Sequence, residues 1–152
     1  MTPTTTRMIG ALALAACLLA ATASADWTQW RGPDRDGVAA SSGAATNWPE
    51  ALSLDWRHEI GTGHASPVVA GDLIYTHSRQ GADEVVSCLA LDTHDVVWAK
   101  SYAAPYTMNP AAAGHGPGPK SSPILSDGTP VTLGISGILS AWNADDGSLL
   151  WR

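Results

Sequence analysis

Ser122-Pro-Ile-Leu125, then Asp127-Gly128, Ser140-Ala-Trp-Asn143 and Gly147-Ser-Leu-Leu-Trp151 form the stretch that decides the fold, because an earlier stretch repeats it. The matching pieces are Ser66-Pro-Val-Val69, Gly71-Asp72, Leu73-Ile-Tyr75, Leu89-Ala-Leu-Asp92 and Val96-Val-Trp98. Two copies of one supersecondary unit predict a repeat architecture. Within each copy, short β-branched and apolar runs alternate with turn residues, the pattern of an antiparallel meander. The first copy predicts strands at 65–70, 73–78, 84–91 and 96–101, and the second at 122–126, 130–135, 138–143 and 148–152. Residues 52–60 alternate in the same way and predict one more strand ahead of both copies. No helical period is evident after the first twenty-five residues.

The indoles mark the unit. Trp98 follows Trp56 at about 42 residues, inside the roughly 40–45 of a four-stranded propeller blade. Trp151 follows Trp98 at a longer interval, and the surplus of about 11 residues falls in the Pro/Gly/Ala-rich insertion. The last turn also differs by two residues between the copies, which preserves strand parity and keeps the same side chains on the same face. The expected fold is therefore all-β, a propeller of four-stranded antiparallel blades. About two blades and a preceding strand are present, which makes the propeller incomplete as it stands. The expected organisation is a signal peptide at 1–25, an N-terminal segment with the last strand of a preceding blade at 26–64, a first blade at 65–101, an insertion at 102–121 and a second blade at 122–152.

Composition narrows the class. The chain has 152 residues, is 45% apolar and carries a net charge of −6. That apolar content supports a core. The acidic balance and the lack of any basic run exclude a nucleic-acid partner. Arg7, the apolar run 9–21 and Ala23-Ser-Ala25 have the order of an export signal, too short in its apolar part to span a bilayer. Cleavage after Ala25 predicts a periplasmic or extracellular protein with no transmembrane anchor. The alternative is a lipoprotein box at Leu14-Ala-Ala-Cys17, which would leave Cys17 lipidated. In either case Cys88 is the remaining ordinary thiol, so no internal disulfide is expected. Its place in an alternating apolar run predicts a buried, inert thiol.

Chemistry-bearing motifs are sparse. The run Gly114-His-Gly-Pro-Gly-Pro-Lys120-Ser invites a phosphate-loop reading, but Pro119 stands where that loop needs glycine, and Pro117 and Pro119 remove N–H donors. Asp34-Arg-Asp36-Gly37 begins like a calcium loop but has Ala45 at the twelfth position. His58-Glu59 and Asp92-Thr-His94-Asp95 lack metal-site spacing. No catalytic residue and no metal ligand is assigned. One geometric hint remains: His64 and Lys120 each stand two residues before the serine that opens an inner strand, with His115 nearby in sequence. These three are the candidate binding residues.

The Ala-x-Asp/Asn turn with a following Trp on the outer strand resembles the tryptophan-docking repeat of PQQ-like β-propellers. That family contains quinoprotein alcohol dehydrogenases and the outer-membrane-protein assembly factor BamB. Trp27-Thr-Gln-Trp30-Arg-Gly-Pro-Asp-Arg-Asp-Gly37, 109–123 and Gly134-Ile-Ser-Gly-Ile-Leu-Ser-Ala141 are similar to a subgroup of secreted bacterial members, matching the N-terminal part of such a protein. The first copy departs from the repeat, since Asp92-Thr-His-Asp95 is short and lacks the turn glycine. The resemblance implies that Trp56, Trp98 and Trp151 pack between neighbouring blades. It also implies a binding or scaffold module for a protein partner or small ligand, with no resident cofactor. The alternative it leaves open is part of a dehydrogenase using PQQ and Ca²⁺ on an alcohol or sugar. Members with that activity use a vicinal cysteine pair, and Cys88 has no neighbouring cysteine.

Overall fold

The computed structural model describes residues 26–39 and 47–152. The predicted signal segment 1–25, the Cys17 alternative and most of the 39–46 loop lie outside the described residues. The described chain forms two four-stranded antiparallel sheets and almost no helix. Sheet 1 contains β1 (Val68–Ala70), β2 (Leu73–Gln80), β3 (Asp83–Ala90) and β4 (Val96–Ala103) in sequential order. Sheet 2 repeats that order with β5 (Ile124–Ser126), β6 (Thr129–Leu133), β7 (Leu139–Trp142) and β8 (Leu149–Trp151). Sequential neighbours pair because the turns between them are short: Gly71 and Gly128 sit at positive φ in the first turn of each sheet. Among the described residues the helical content is one 3-10 turn, Pro110–His115, inside the insertion; the Asn109 side chain caps it by accepting from Ala111 N–H at 2.9 Å.

Both sheets carry a register shift at the same place, between Cys88 and Leu89 and between Ala141 and Trp142. Cys88 pairs with Trp98 and Ala141 pairs with Trp151, so the two indoles occupy equivalent positions. The expected two-residue difference in the last turn is not there: Leu89 pairs with Val96 as Trp142 pairs with Leu149, so the two hairpins are equally long, and His94 at positive φ stands where the second sheet has Gly147.

The core lies between the sheets. Val68, Tyr75, Val86, Cys88, Trp98 and Tyr102 of sheet 1 pack with Ala104 and Trp142, and Leu125, Ile138 and Ala144 close the margin. Trp98, only 6% exposed, donates its indole N–H to the Ala144 carbonyl at 2.8 Å and lies over Gly147. Burying an indole whose N–H is satisfied combines a large apolar contribution with one hydrogen bond across the sheet interface. Trp151 at the same register of sheet 2 is 49% exposed, in company with Leu139, Leu149 and Leu150.

The N-terminal segment stitches the innermost strands. Trp27 exchanges two backbone hydrogen bonds with Val69, at 2.8 and 3.0 Å, and the Thr28 carbonyl accepts Leu125 N–H at 2.8 Å. One short segment thereby holds β1 and β5 side by side.

Residues 52–60 differ from expectation. They alternate like a strand but form no ladder, and 51–59 are exposed. The tie to sheet 1 comes at the end of the segment, where Ser78 and Gln80 side chains donate to the Ile60 carbonyl and Thr62 pairs with Arg79. Alternation gives a strand only where a neighbouring strand supplies hydrogen-bond partners, and no described strand does so here.

Candidate functional site

The loops that lead into β1 and β5 run against each other. His64 N–H donates to the Pro119 carbonyl at 2.9 Å, and Ser66 N–H donates to Ser122 Oγ at 2.9 Å. Gly118 makes this approach possible, since a Cβ there would collide with the Thr62 carbonyl and the Gly63 backbone. The glycine-rich run therefore serves close backbone packing.

This packing brings the three candidate binding residues together. His64 Nε2 lies 2.9 Å from the His115 carbonyl, and the two imidazoles meet edge-on with centroids 6.2 Å apart. Lys120 Nζ donates to the same His115 carbonyl at 2.5 Å and to Gly116 O at 3.0 Å. The loop thus offers carbonyl oxygens to a cation, the reverse of a phosphate loop, which offers N–H groups to an anion. A Lys ammonium has three N–H donors, so one remains to point elsewhere.

His64, Lys120, Ser121, Ser122 and Trp30 line an open pocket of about 330 Å³. No carboxylate lines it, although the chain as a whole is acidic. The Arg31 guanidinium adds a further cation 5.5 Å from the Trp30 ring centroid. Ser122 Oγ accepts from a backbone N–H, and no imidazole or carboxylate partner is described for either serine hydroxyl. The pocket brings together a cation, two hydroxyls and an aromatic wall.

A second polar cluster, buried except for Arg152, joins the two sheets. Glu84 is 0% exposed and accepts from Tyr102 OH at 2.7 Å and from Ile135 N–H at 2.8 Å, which joins sheet 1 to the β6–β7 turn of sheet 2. His77 Nε2 is 3.0 Å from Tyr102 OH and 3.6 Å from Glu84 Oε2. Arg152 lies 4.3 Å from the Tyr102 ring centroid and donates to Ser140 Oγ at 2.9 Å. Burial pushes the His77 imidazole below its ordinary value, against the opposing pull of the Glu84 carboxylate. Burial and the Glu84 contacts push the Tyr102 phenol up. Sequence reasoning missed this cluster. The available signal was parity: Glu84 falls on the same face of its strand as Val86 and Cys88, so a carboxylate was due to point inward.

Cys88 is a buried free thiol beside Tyr75, and burial pushes its pKa up to about 11. Trp56 stacks on His94 with centroids 4.3 Å apart and is 38% exposed. Asp34 and Asp36 belong to an exposed turn in which Asp36 caps Val38 N–H. Among the described residues no group of three or more His, Cys, Asp or Glu is placed to hold a metal ion, and no helix is long and apolar enough to cross a membrane. Set against models of known protein families and against curated proteins, the chain matches none.

Proposed function

We propose that this chain is part of an exported PQQ-like repeat β-propeller whose two sheets are blades, and that it works as a binding or scaffold module. The observation that carries the reading is the pocket at the head of the two innermost strands. His64 and Lys120, far apart in sequence, converge there on the His115 carbonyl and leave a cationic, hydroxyl-rich surface. The blade assignment is supported by the equivalent register of Trp98 and Trp151 and by the seating of Trp98 on the Ala144–Gly147 turn of the neighbouring sheet. A repeated sheet whose docking indole recurs at the same register suits radial repetition. Export follows from the order of the first twenty-five residues.

The test separates scaffold from quinoprotein. Full chain is titrated with PQQ and Ca²⁺ in the presence of a redox dye and a panel of alcohols and sugars. The scaffold reading expects no dye reduction, and saturable cofactor uptake with turnover overturns it.

A further inference from the structure

We propose that the pocket lined by Trp30, His64, Lys120, Ser121 and Ser122 binds a small free carboxylate, with the carboxylate on Lys120 and the serine hydroxyls and the carbon skeleton against Trp30. The inference rests on the binding reading above and adds the ligand's chemical class.

Donor supply sets the class. Lys120 spends two of its N–H groups on the His115 and Gly116 carbonyls, which fixes the ammonium and leaves a third donor. Ser122 Oγ is engaged as an acceptor from Ser66 N–H, so its own hydrogen remains to donate. Ser121 adds a second hydroxyl on the same wall. One ammonium N–H and two hydroxyls match the acceptor capacity of a single carboxylate, which has two oxygens and no donor. The ammonium is held before a ligand arrives, so less side-chain freedom is lost on binding. The sign of the charge agrees: among the described residues Lys120 lines the pocket, the Arg31 guanidinium stands over the ring of Trp30, and no carboxylate lines it. Trp30 is exposed and presents an apolar face to whatever the carboxylate carries. The pocket volume of about 330 Å³ sits at the small end for ligand sites.

The full chain is titrated with butyrate, its neutral isostere butyramide, acetate and inorganic phosphate. Binding is followed by calorimetry and by amide chemical shifts of Lys120, Ser121 and Ser122. Expected are butyrate binding at least roughly tenfold tighter than butyramide, as a charge-assisted contact requires, and weaker binding of acetate because it lacks the chain that meets Trp30. Lys120→Gln abolishes the preference for butyrate over butyramide, Lys120→Arg keeps it, and Trp30→Ala brings butyrate down to the level of acetate. Equal affinity for butyrate and butyramide, tighter binding of phosphate than of butyrate, or shifts confined to residues elsewhere overturns the proposal. Comparing charged and neutral ligands on the unaltered chain keeps the test valid if a Lys120 variant loosens its loop. Dye reduction with PQQ and Ca²⁺ would sink the scaffold reading while leaving these titrations to be judged separately.

Discussion

At the residue scale, the most exacting position is Gly134. Any Cβ there runs into the Glu84 carboxylate and the Tyr102 hydroxyl, both fixed by mutual hydrogen bonding. Gly134→Ala is therefore expected to destabilise the chain by about 1–3 kcal/mol, the usual cost of overpacking, read as a lower urea midpoint. Tyr102→Phe removes the hydroxyl that serves both Glu84 and His77 without changing the ring packed near Trp142. Leaving the buried Glu84 side chain short of a donor costs about 1–3 kcal/mol, read as a lower urea midpoint. Cys88 makes a third case: a thiol pushed to about 11 and enclosed among the core residues should resist alkylation in the native protein and react after unfolding.

Among the elements, the two sheets meet through an indole, and that contact separates apolar from polar contributions. Trp98→Phe keeps most of the buried area and loses the bond to the Ala144 carbonyl, an expected cost of about 0.5–1.5 kcal/mol. Trp98→Ala empties the site, at about 3–5 kcal/mol. Trp151 at the same register of sheet 2 is half exposed, so Trp151→Ala should cost far less than Trp98→Ala; comparable losses in thermal melts would contradict the packing described. The strands themselves were legible because alternation and turn residues agree in each copy, as at Asp127-Gly128 between β5 and β6. Residues 52–60 were misread because alternation reports side-chain periodicity and carries no information about a hydrogen-bond partner. The repeat register correctly brought His64 and Lys120 near one another. Trp30 escaped notice because its approach depends on how the N-terminal segment crosses β1 and β5, a long-range contact with no local sequence signal.

Over the whole molecule, the buried titratable groups set a pH window. The His77 pKa is lowered by burial, so the folded state binds fewer protons than the unfolded chain once the pH falls below about 6.5, and stability declines on acidification. The phenols of Tyr75, pushed up to about 12, and Tyr102, pushed up further, act in the opposite direction. Their neutral forms are favoured by folding, so stability is held below about pH 10 and declines above it. Urea midpoints measured from pH 4 to 11 should trace a plateau between these limits. His77→Gln should flatten the acid limb relative to the parent chain; an unchanged limb would remove His77 from the account.

Arg79 gives the architecture a fixed corner. Its guanidinium donates to four backbone carbonyls, those of Gly81, Ala82, Ala104 and Pro117. Since Ala104 and Pro117 lie toward the two ends of the 102–121 insertion, a single side chain buckles both to the β2–β3 hairpin. The intervening residues can then be lengthened or exchanged at only a slowly rising closure entropy, which makes 106–114 a graft point for a foreign peptide. The acceptors are neutral, so the buckle should hold as firmly in concentrated salt as in dilute buffer.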